Sequence, residues 1–362
     1  MVILPTRFES DANKSTSDCG LCCSSAVHRL SVILILLIKG VATPRESRRW
    51  QITRLDGKRP ANPSADVIIL RDFVTSTPEK PVDSSEPAPA PSEWREYGGF
   101  LLKLALFVFI LRSFIVSPFN IPSESMQPRL LIGDYLLVAK WPYGYSKNSV
   151  AFSLPIIPGR VFESQPARGD VVVFKAPMSN GADYIKRVIG LPGDVVQMRN
   201  GILEINGVAV KKERIADLII PVTQNMRDAA EVDRNPFPCW RPDMEEPAAD
   251  GGTQCRYPRF RETLPEGRSY EILDLADGLE GDNTKAFVVG EGDIFLMGDN
   301  RDRSADSRWS PIEKPGAIGM VPQENLVGRA LVSVFSTDGS SHWLLPWTWF
   351  TATRAERIGQ GF

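Results

Sequence analysis

The sequence of 362 residues predicts a mostly β protein, a compact sandwich or barrel-like domain outside the membrane. One transmembrane helix and a disordered N-terminal region are expected to precede it. Three observations carry this. An apolar run, Gly98 to Phe119, has the length a spanning helix needs. Short β-rich segments bounded by turn residues follow it. Two Asn-Gly dipeptides, at Asn200 and Asn206, punctuate one of these stretches, and Asn-Gly favours the positive φ angles of tight hairpins.

Taken in order, residues 1–97 read as a cytoplasmic region. Thr75 to Trp94 is rich in Pro, Ser and Glu and reads as a disordered tether. The earlier part is either an over-extended gene start or a disordered extension. Within it, Leu30 to Ala42 has an uninterrupted apolar core of only Val32–Ile38, too short to span and suited to a signal-peptide core or a buried segment. The spanning helix is assigned to residues 98–118. Its Lys103 and Arg112 lie near the ends, where long cationic side chains reach the headgroups. Basic residues before Gly98 favour keeping the N-terminal side in the cytoplasm.

Beyond the helix, residues 119–350 form the expected domain, with strands at Asp134–Lys140, Asp170–Lys175, Asp293–Met297 and Val327–Phe335. Asp194–Val210 reads as consecutive hairpins. The polar, Pro-rich span 223–268 reads as a long loop or insertion, and 351–362 as a C-terminal tail. Near that end, Trp343, Trp347 and Trp349 suit either a membrane interface or ordinary packing.

Composition excludes some functions. A net charge of −2 in an ordinary overall balance gives no footprint for nucleic acid, although the basic charge before residue 98 is locally dense. Cys19, Cys22 and Cys23 have a C-x-x-C spacing but no second ligand pair, so no zinc site is expected. In an oxidising compartment Cys239 and Cys255 would suit a disulfide; otherwise they are two unpaired loop thiols.

The chemistry centres on "NIPSESMQP", where Ser123 and Ser125 lie in a Pro-rich turn after the apolar run. A serine nucleophile needs a base, and the chain holds only His28 and His342. His28 lies across the expected membrane helix, and His342 has no acid at triad spacing, so a Ser-His-Asp triad is not expected. Lysine is the alternative, since a desolvated ammonium loses its proton near neutral pH. Lys186 stands among Tyr184, Ile185, Val188 and Ile189, neighbours that can bury it. To act near pH 8 its pKa must fall roughly two to three units below about 10.4. A solvated strand lysine beside Arg187 is the competing reading. In "MGDNRDRSADSRWSP", Met297–Pro311, three arginines offset three aspartates, which argues against a metal cage and for buried Asp–Arg pairing.

In this order after one apolar helix, "IPSESMQP", "RGDVVVFK", "YIKRVIGLPGD" and "GDNRDRSADSR" resemble the bacterial type I signal peptidases, or leader peptidases, from about Phe100 onward. The resemblance implies a Ser/Lys dyad on a mostly β fold, with Ser125 as nucleophile and Lys186 as general base. It implies an oxyanion hole from the Ser125 N–H and the Ser123 hydroxyl. Ser304 would orient the lysine, and Asp306 with Arg308 would support the site. Ile121, Pro122, Tyr184 and Ile185 are the candidates for lining substrate pockets, against ordinary core packing. The implied substrates are exported preproteins with small residues at −1 and −3, lying extended against strand edges.

No cofactor or metal is implied. Membrane lipid is the other expected partner, and a monomer is expected. The implied location is the bacterial cytoplasmic (inner) membrane, single-pass, with the domain on the periplasmic or outer side. Glu124 stands where the family's commonest motif has Gly and has no evident role; Arg303 also departs from the pattern and is expected to be exposed. A narrow-role Ser/Lys peptidase (pilin maturation or a self-cleaving regulator) and a tethered β-barrel binding module without catalysis remain as alternatives.

Overall fold

The computed structural model describes residues 93–362 apart from Asn180 and Trp343. The expected disordered region up to residue 92, the Leu30–Ala42 run, His28 and the Cys19–Cys23 cluster lie outside the described residues; the last part of that region, Glu93–Tyr97, is helical instead.

A helix, α1, runs over Glu93–Ile110 and continues as a wider π turn through Leu111–Ile115. Over Trp94–Ile115 it is long and apolar enough to cross a membrane, and most of its large apolar side chains are exposed. The helix therefore ends before the expected 118. Val116–Asn120 leaves it as strand β1 and pairs with β2, Asp134–Ala139, from Val116↔Ala139 to Asn120↔Tyr135. Hydropathy cannot separate a spanning helix from the half-buried strand that continues its apolar run; the ladder to β2 decides it. The junction is fixed to the domain: Tyr145 Oη donates to the Phe114 carbonyl (2.9 Å), and Ser113 Oγ accepts from the Ala151 N–H (3.1 Å).

The remaining principal strands are β3 (Val171–Lys175), β4 (Asp183–Gly190), β5 (Val195–Arg199), β6 (Ile202–Ile205), β7 (Lys211–Pro221), β8 (Thr253–Thr263), β9 (Ser269–Leu273), β10 (Asp293–Met297) and β11 (Leu326–Ser336). The fold is mostly β, as expected. A seven-stranded antiparallel sheet has the order β1-β2-β11-β3-β4-β10, closed by the short strand Val321–Pro322. β11, the last strand in sequence, thus lies between the β1–β2 and β3–β4 pairs. The hairpins form at the expected dipeptides: Asn200 and Gly201 have φ 48° and 71°, and Asn206 and Gly207 have 54° and 76°.

Two expectations are corrected. The span 223–268 is not a loop: it holds helix α2 (Gln224–Val232), capped by Thr223, and strand β8, paired to β7 and β9. β8 buries Cys255 and Tyr257 on one face while Arg256 and Arg261 point outward, so Pro258 and the arginines hide an alternating strand. Cys239 and Cys255 form a disulfide inside this subdomain's core, beside Met226, Tyr257 and Leu273. The segment 351–362 is not a free tail either. The buried Asp134 carboxylate draws it in: Arg357 donates to it at 2.6 Å, and Phe362 packs against the core around Met126 and Leu136. A charge in the interior must be paired, and this segment supplies the partners.

Candidate active site

Three segments converge: the turn after β1, the middle of β4, and the loop after β10. The turn is held by its apolar residues. Ile121, Met126 and Leu130 are buried in one cluster with Leu136, Val138, Val171 and Val173, which leaves Ser125 at the edge of that core, 7% exposed. On β4, Val172↔Lys186 pairs the lysine's backbone with β3, while Met297↔Arg187 begins the ladder to β10. Because successive side chains alternate across a strand, Lys186 and Arg187 point to opposite faces.

Lys186 Nζ donates to Ser125 Oγ at 2.8 Å and to the Ile185 carbonyl at 3.1 Å, and the lysine is 5% exposed. Burial disfavours its charged form and holds its pKa down to about 8, against the weaker opposing pull of Asp306 and Asp299. Among the described residues it makes no ion pair. Ser123 Oγ is 3.4 Å from Ser125 Oγ and lies on the solvent side. The Ser125 N–H has no protein acceptor among the described residues.

The third segment closes behind the serine. The Asn300 N–H donates to the Ser125 carbonyl at 3.1 Å. A side chain on Gly298 would collide with that carbonyl and with the Ser304 hydroxyl, so the loop needs glycine here. Asp306, fully buried, accepts from Arg308 Nε (2.9 Å) and Nη2 (3.0 Å) and from the Gly298 N–H (3.1 Å). Burial pushes its carboxyl up, but Arg308 and these hydrogen bonds pull it below the usual range. Ser304 is buried against Gly298, and its hydroxyl is not hydrogen-bonded to Lys186 in this structure. Ile121 is buried in the core cluster; Pro122 is exposed, and Tyr184 and Ile185 are half-buried beside the lysine. His342 is exposed at the surface, its carbonyl accepting from Trp349 Nε1, and takes no part in this constellation.

Other residues of the site were not singled out from the sequence. Arg187 donates twice to Asp299, at 2.7 and 2.6 Å, with both groups buried. Arg301 pairs with Glu262 of β8 at 2.5 Å, and Tyr270 Oη donates to the same carboxylate at 2.8 Å, so the second subdomain braces the loop. The alternation of Asp and Arg in Met297–Pro311 signalled buried pairing, but not its partners elsewhere in the chain. Arg303 is half-buried rather than exposed: it pairs with Glu124, beside Ser125, and with Asp233 at the end of α2 (3.3 Å). Glu124 thereby acquires a structural role that local sequence does not reveal.

Residues 94–335 match the family described as "Signal peptidase, peptidase S26". The chain belongs to the signal peptidase family. Signal peptidase I of Rickettsia typhi (strain ATCC VR-144 / Wilmington) is 34% identical over 251 residues, 67% of this chain and 80% of that protein. Signal peptidase I of Rickettsia canadensis (strain McKiel) is 36% identical over 253 residues, 68% and 80% of the two chains. A crystal structure of a signal peptidase I from Enterococcus faecalis V583 aligns with 46% of this chain and 97% of its own, at 26% identity and a TM-score of 0.22, too poor a superposition to bear on the geometry. Membership of the signal peptidase family makes this chain a serine endopeptidase, a hydrolase, and removes the reading as a binding module without catalysis.

Proposed function

We propose that this peptidase removes N-terminal signal peptides from exported preproteins, cutting after small residues at −1 and −3, with Ser125 as nucleophile and Lys186 as general base. The observation that carries the proposal is the 2.8 Å contact between Lys186 Nζ and Ser125 Oγ in a site that denies the lysine a carboxylate partner. When Lys186 is protonated its N–H donates to the serine. Once it is neutral the bond reverses, and the Ser125 O–H donates to the lysine's lone pair. The base then takes that proton as Oγ attacks the scissile carbonyl.

The oxyanion is received by the Ser125 N–H and the Ser123 hydroxyl. One such donor is worth about 3–4 kcal/mol in the transition state. Protonated Lys186 passes its proton to the departing amine, and water that it activates hydrolyses the acyl-enzyme. Ser304 is the proposed orienting hydroxyl for the lysine; its Oγ is buried beside Gly298, near the Ser125 carbonyl. Asp306 and Arg308 hold the loop that carries it.

The substrate's extended segment has a strand edge to join. Asp183, Tyr184 and Ile185 of β4 pair only with β3, because the β10 ladder begins at Arg187. Ile121, Pro122, Tyr184 and Ile185 flank that edge as the proposed shallow pockets. Helix α1 is proposed to cross the bacterial cytoplasmic membrane once, with its N-terminal side inside and the domain outside. The Cys239–Cys255 disulfide supports an oxidising compartment for the domain. Exposed Leu344, Trp347 and Phe350 support contact with lipid, and the working unit is proposed to be a monomer.

The test is cleavage of a preprotein by the detergent-solubilised full chain, with the new N-terminus sequenced. Wild type is expected to cut after a small residue, and Ser125→Ala and Lys186→Ala to be inactive. Wild-type rates in Lys186→Ala would remove the dyad, and cleavage of a single dedicated substrate would favour a narrow-role peptidase.

A further inference from the structure

On the face of β4 away from Lys186 lies a cleft of about 500 Å³ whose wall is built largely from arginine: Arg129, Arg187, Arg259, Arg261, Arg268 and Arg357. Glu271 is the only acidic side chain lining it. The other carboxylates that serve these arginines sit behind the wall. Arg187 is used by Asp299, Arg268 by Asp170 (2.8 Å) and Arg357 by Asp134 (2.6 Å), all three buried.

Two guanidiniums are left over. Arg261 reaches only Glu271, at 3.6 Å, and shares it with Arg259 at 3.1 Å. Arg129 has no carboxylate partner among the described residues. It donates to the Gly361 carbonyl, and its guanidinium lies 5.4 Å from the centre of the Phe362 ring. Arg129, though exposed at its surface, is also held below the ordinary arginine range, by partial desolvation first and then by the like charges of Arg187 and Arg357. Six guanidiniums thus line the cleft against the carboxylates of Glu271, Asp299, Asp170 and Asp134, and the α-carboxylate of Phe362, a lining residue, makes no ion pair among the described residues, so the cleft keeps an excess of positive charge.

We propose that this cleft is a binding site for a phosphate group, carried either by a free anion or by a phospholipid headgroup. Guanidinium forks match the paired oxygens of phosphate, and several of them around one cavity suit a group bearing more than one acceptor oxygen. Ser269 and Tyr270 also line the cleft. The Tyr270 hydroxyl is taken by Glu262, which leaves its ring as a platform for Arg187, 4.3 Å above it. The site is separate from the Ser125–Lys186 contact because Arg187 and Lys186 face opposite sides of β4.

The test uses the full chain in a non-ionic detergent. Inorganic phosphate is titrated calorimetrically at constant ionic strength, with chloride as control; soluble short-chain phosphatidylglycerol and phosphatidylcholine are titrated in parallel. Saturable binding of phosphate is expected, weakened about tenfold or more in Arg129→Ala/Arg261→Ala. Both positions are exposed, and the variant's unfolding temperature without ligand reports that it is folded. Tighter binding of phosphatidylglycerol than of phosphate, with none of phosphatidylcholine, identifies the lipid headgroup as the source. Phosphate binding that phosphatidylglycerol does not exceed identifies the free anion. No saturable binding of either, or equal binding by the double variant, overturns the proposal.

Discussion

Lys186 and Arg187 are neighbours on one strand, both buried, and the protein treats them in opposite ways. Arg187 is clamped by two hydrogen bonds to Asp299, which more than offset its burial and keep its guanidinium charged. Lys186, on the other face, receives a serine hydroxyl and a backbone carbonyl but no carboxylate, and burial brings its pKa down to about 8. Burial is common to both, so it does not by itself make a base. The difference is where the acids are placed: one face of β4 is neutralised by a carboxylate, and the other is left without one, as the proposed proton transfer requires.

The largest way to break this contrast is to remove the functional face. Lys186→Met or Ser125→Ala is expected to lower kcat/KM by roughly 10³–10⁴-fold while leaving the circular dichroism spectrum intact. Breaking the structural face comes next. Arg187→Met alone, or Asp299→Leu alone, strands a buried charge and is expected to cost about 3–5 kcal/mol in denaturant unfolding. The double variant is expected to recover most of that loss, and a double as unstable as the summed singles would show that the pair is not the issue.

Stability then separates the two residues further. The unfolded chain holds the Lys186 proton up to its ordinary pKa near 10.5, whereas the folded chain releases it near 8. Folding therefore pays a full penalty below pH 8, which fades as pH rises through that window and is gone above about 10.5. Lys186→Met is accordingly expected to be about 3 kcal/mol more stable than wild type at pH 6–7, with the gain vanishing at high pH. A destabilised Lys186→Met would contradict the unpaired-charge account. The same pKa sets the rate profile: kcat/KM should rise about tenfold per pH unit below 8 and level off above it, and a flat profile from pH 6 to 9 would exclude Lys186 as the base.

The smallest effect concerns Glu124 and Arg303, a half-buried pair beside Ser125. Glu124→Gln is expected to cost about 1 kcal/mol, or a few-fold in kcat, with KM little changed. The reversed pair Glu124→Arg/Arg303→Glu should recover activity relative to either single substitution.

Much of the site was readable in the sequence because its chemistry narrows the choices. With only two histidines in the sequence, lysine becomes the expected base, and the neighbours of Lys186 pointed to its burial. The Asn-Gly turns were equally readable, since few other residues tolerate positive φ. What escaped depends on partners distant in sequence. β8 looked like loop because its stability comes from ladders to β7 and β9 and from a buried Cys255–Tyr257 face, while arginines and Pro258 dominate its composition. The end of α1 escaped for a similar reason, the apolar run passing without a break into β1. Arg303 was read as exposed because Glu124 and Asp233 are both far away along the chain.

The position of β11 has a consequence in time. Ser125 follows the half of the large sheet built on β1 and β2, and Lys186 lies in the half built on β3 and β4; in the strand ladders of that sheet, Leu326–Ser336 joins the two. The ladders that join the two halves cannot form until that late segment has been made. The proposed nucleophile and base are therefore held in one sheet by a strand made long after either of them.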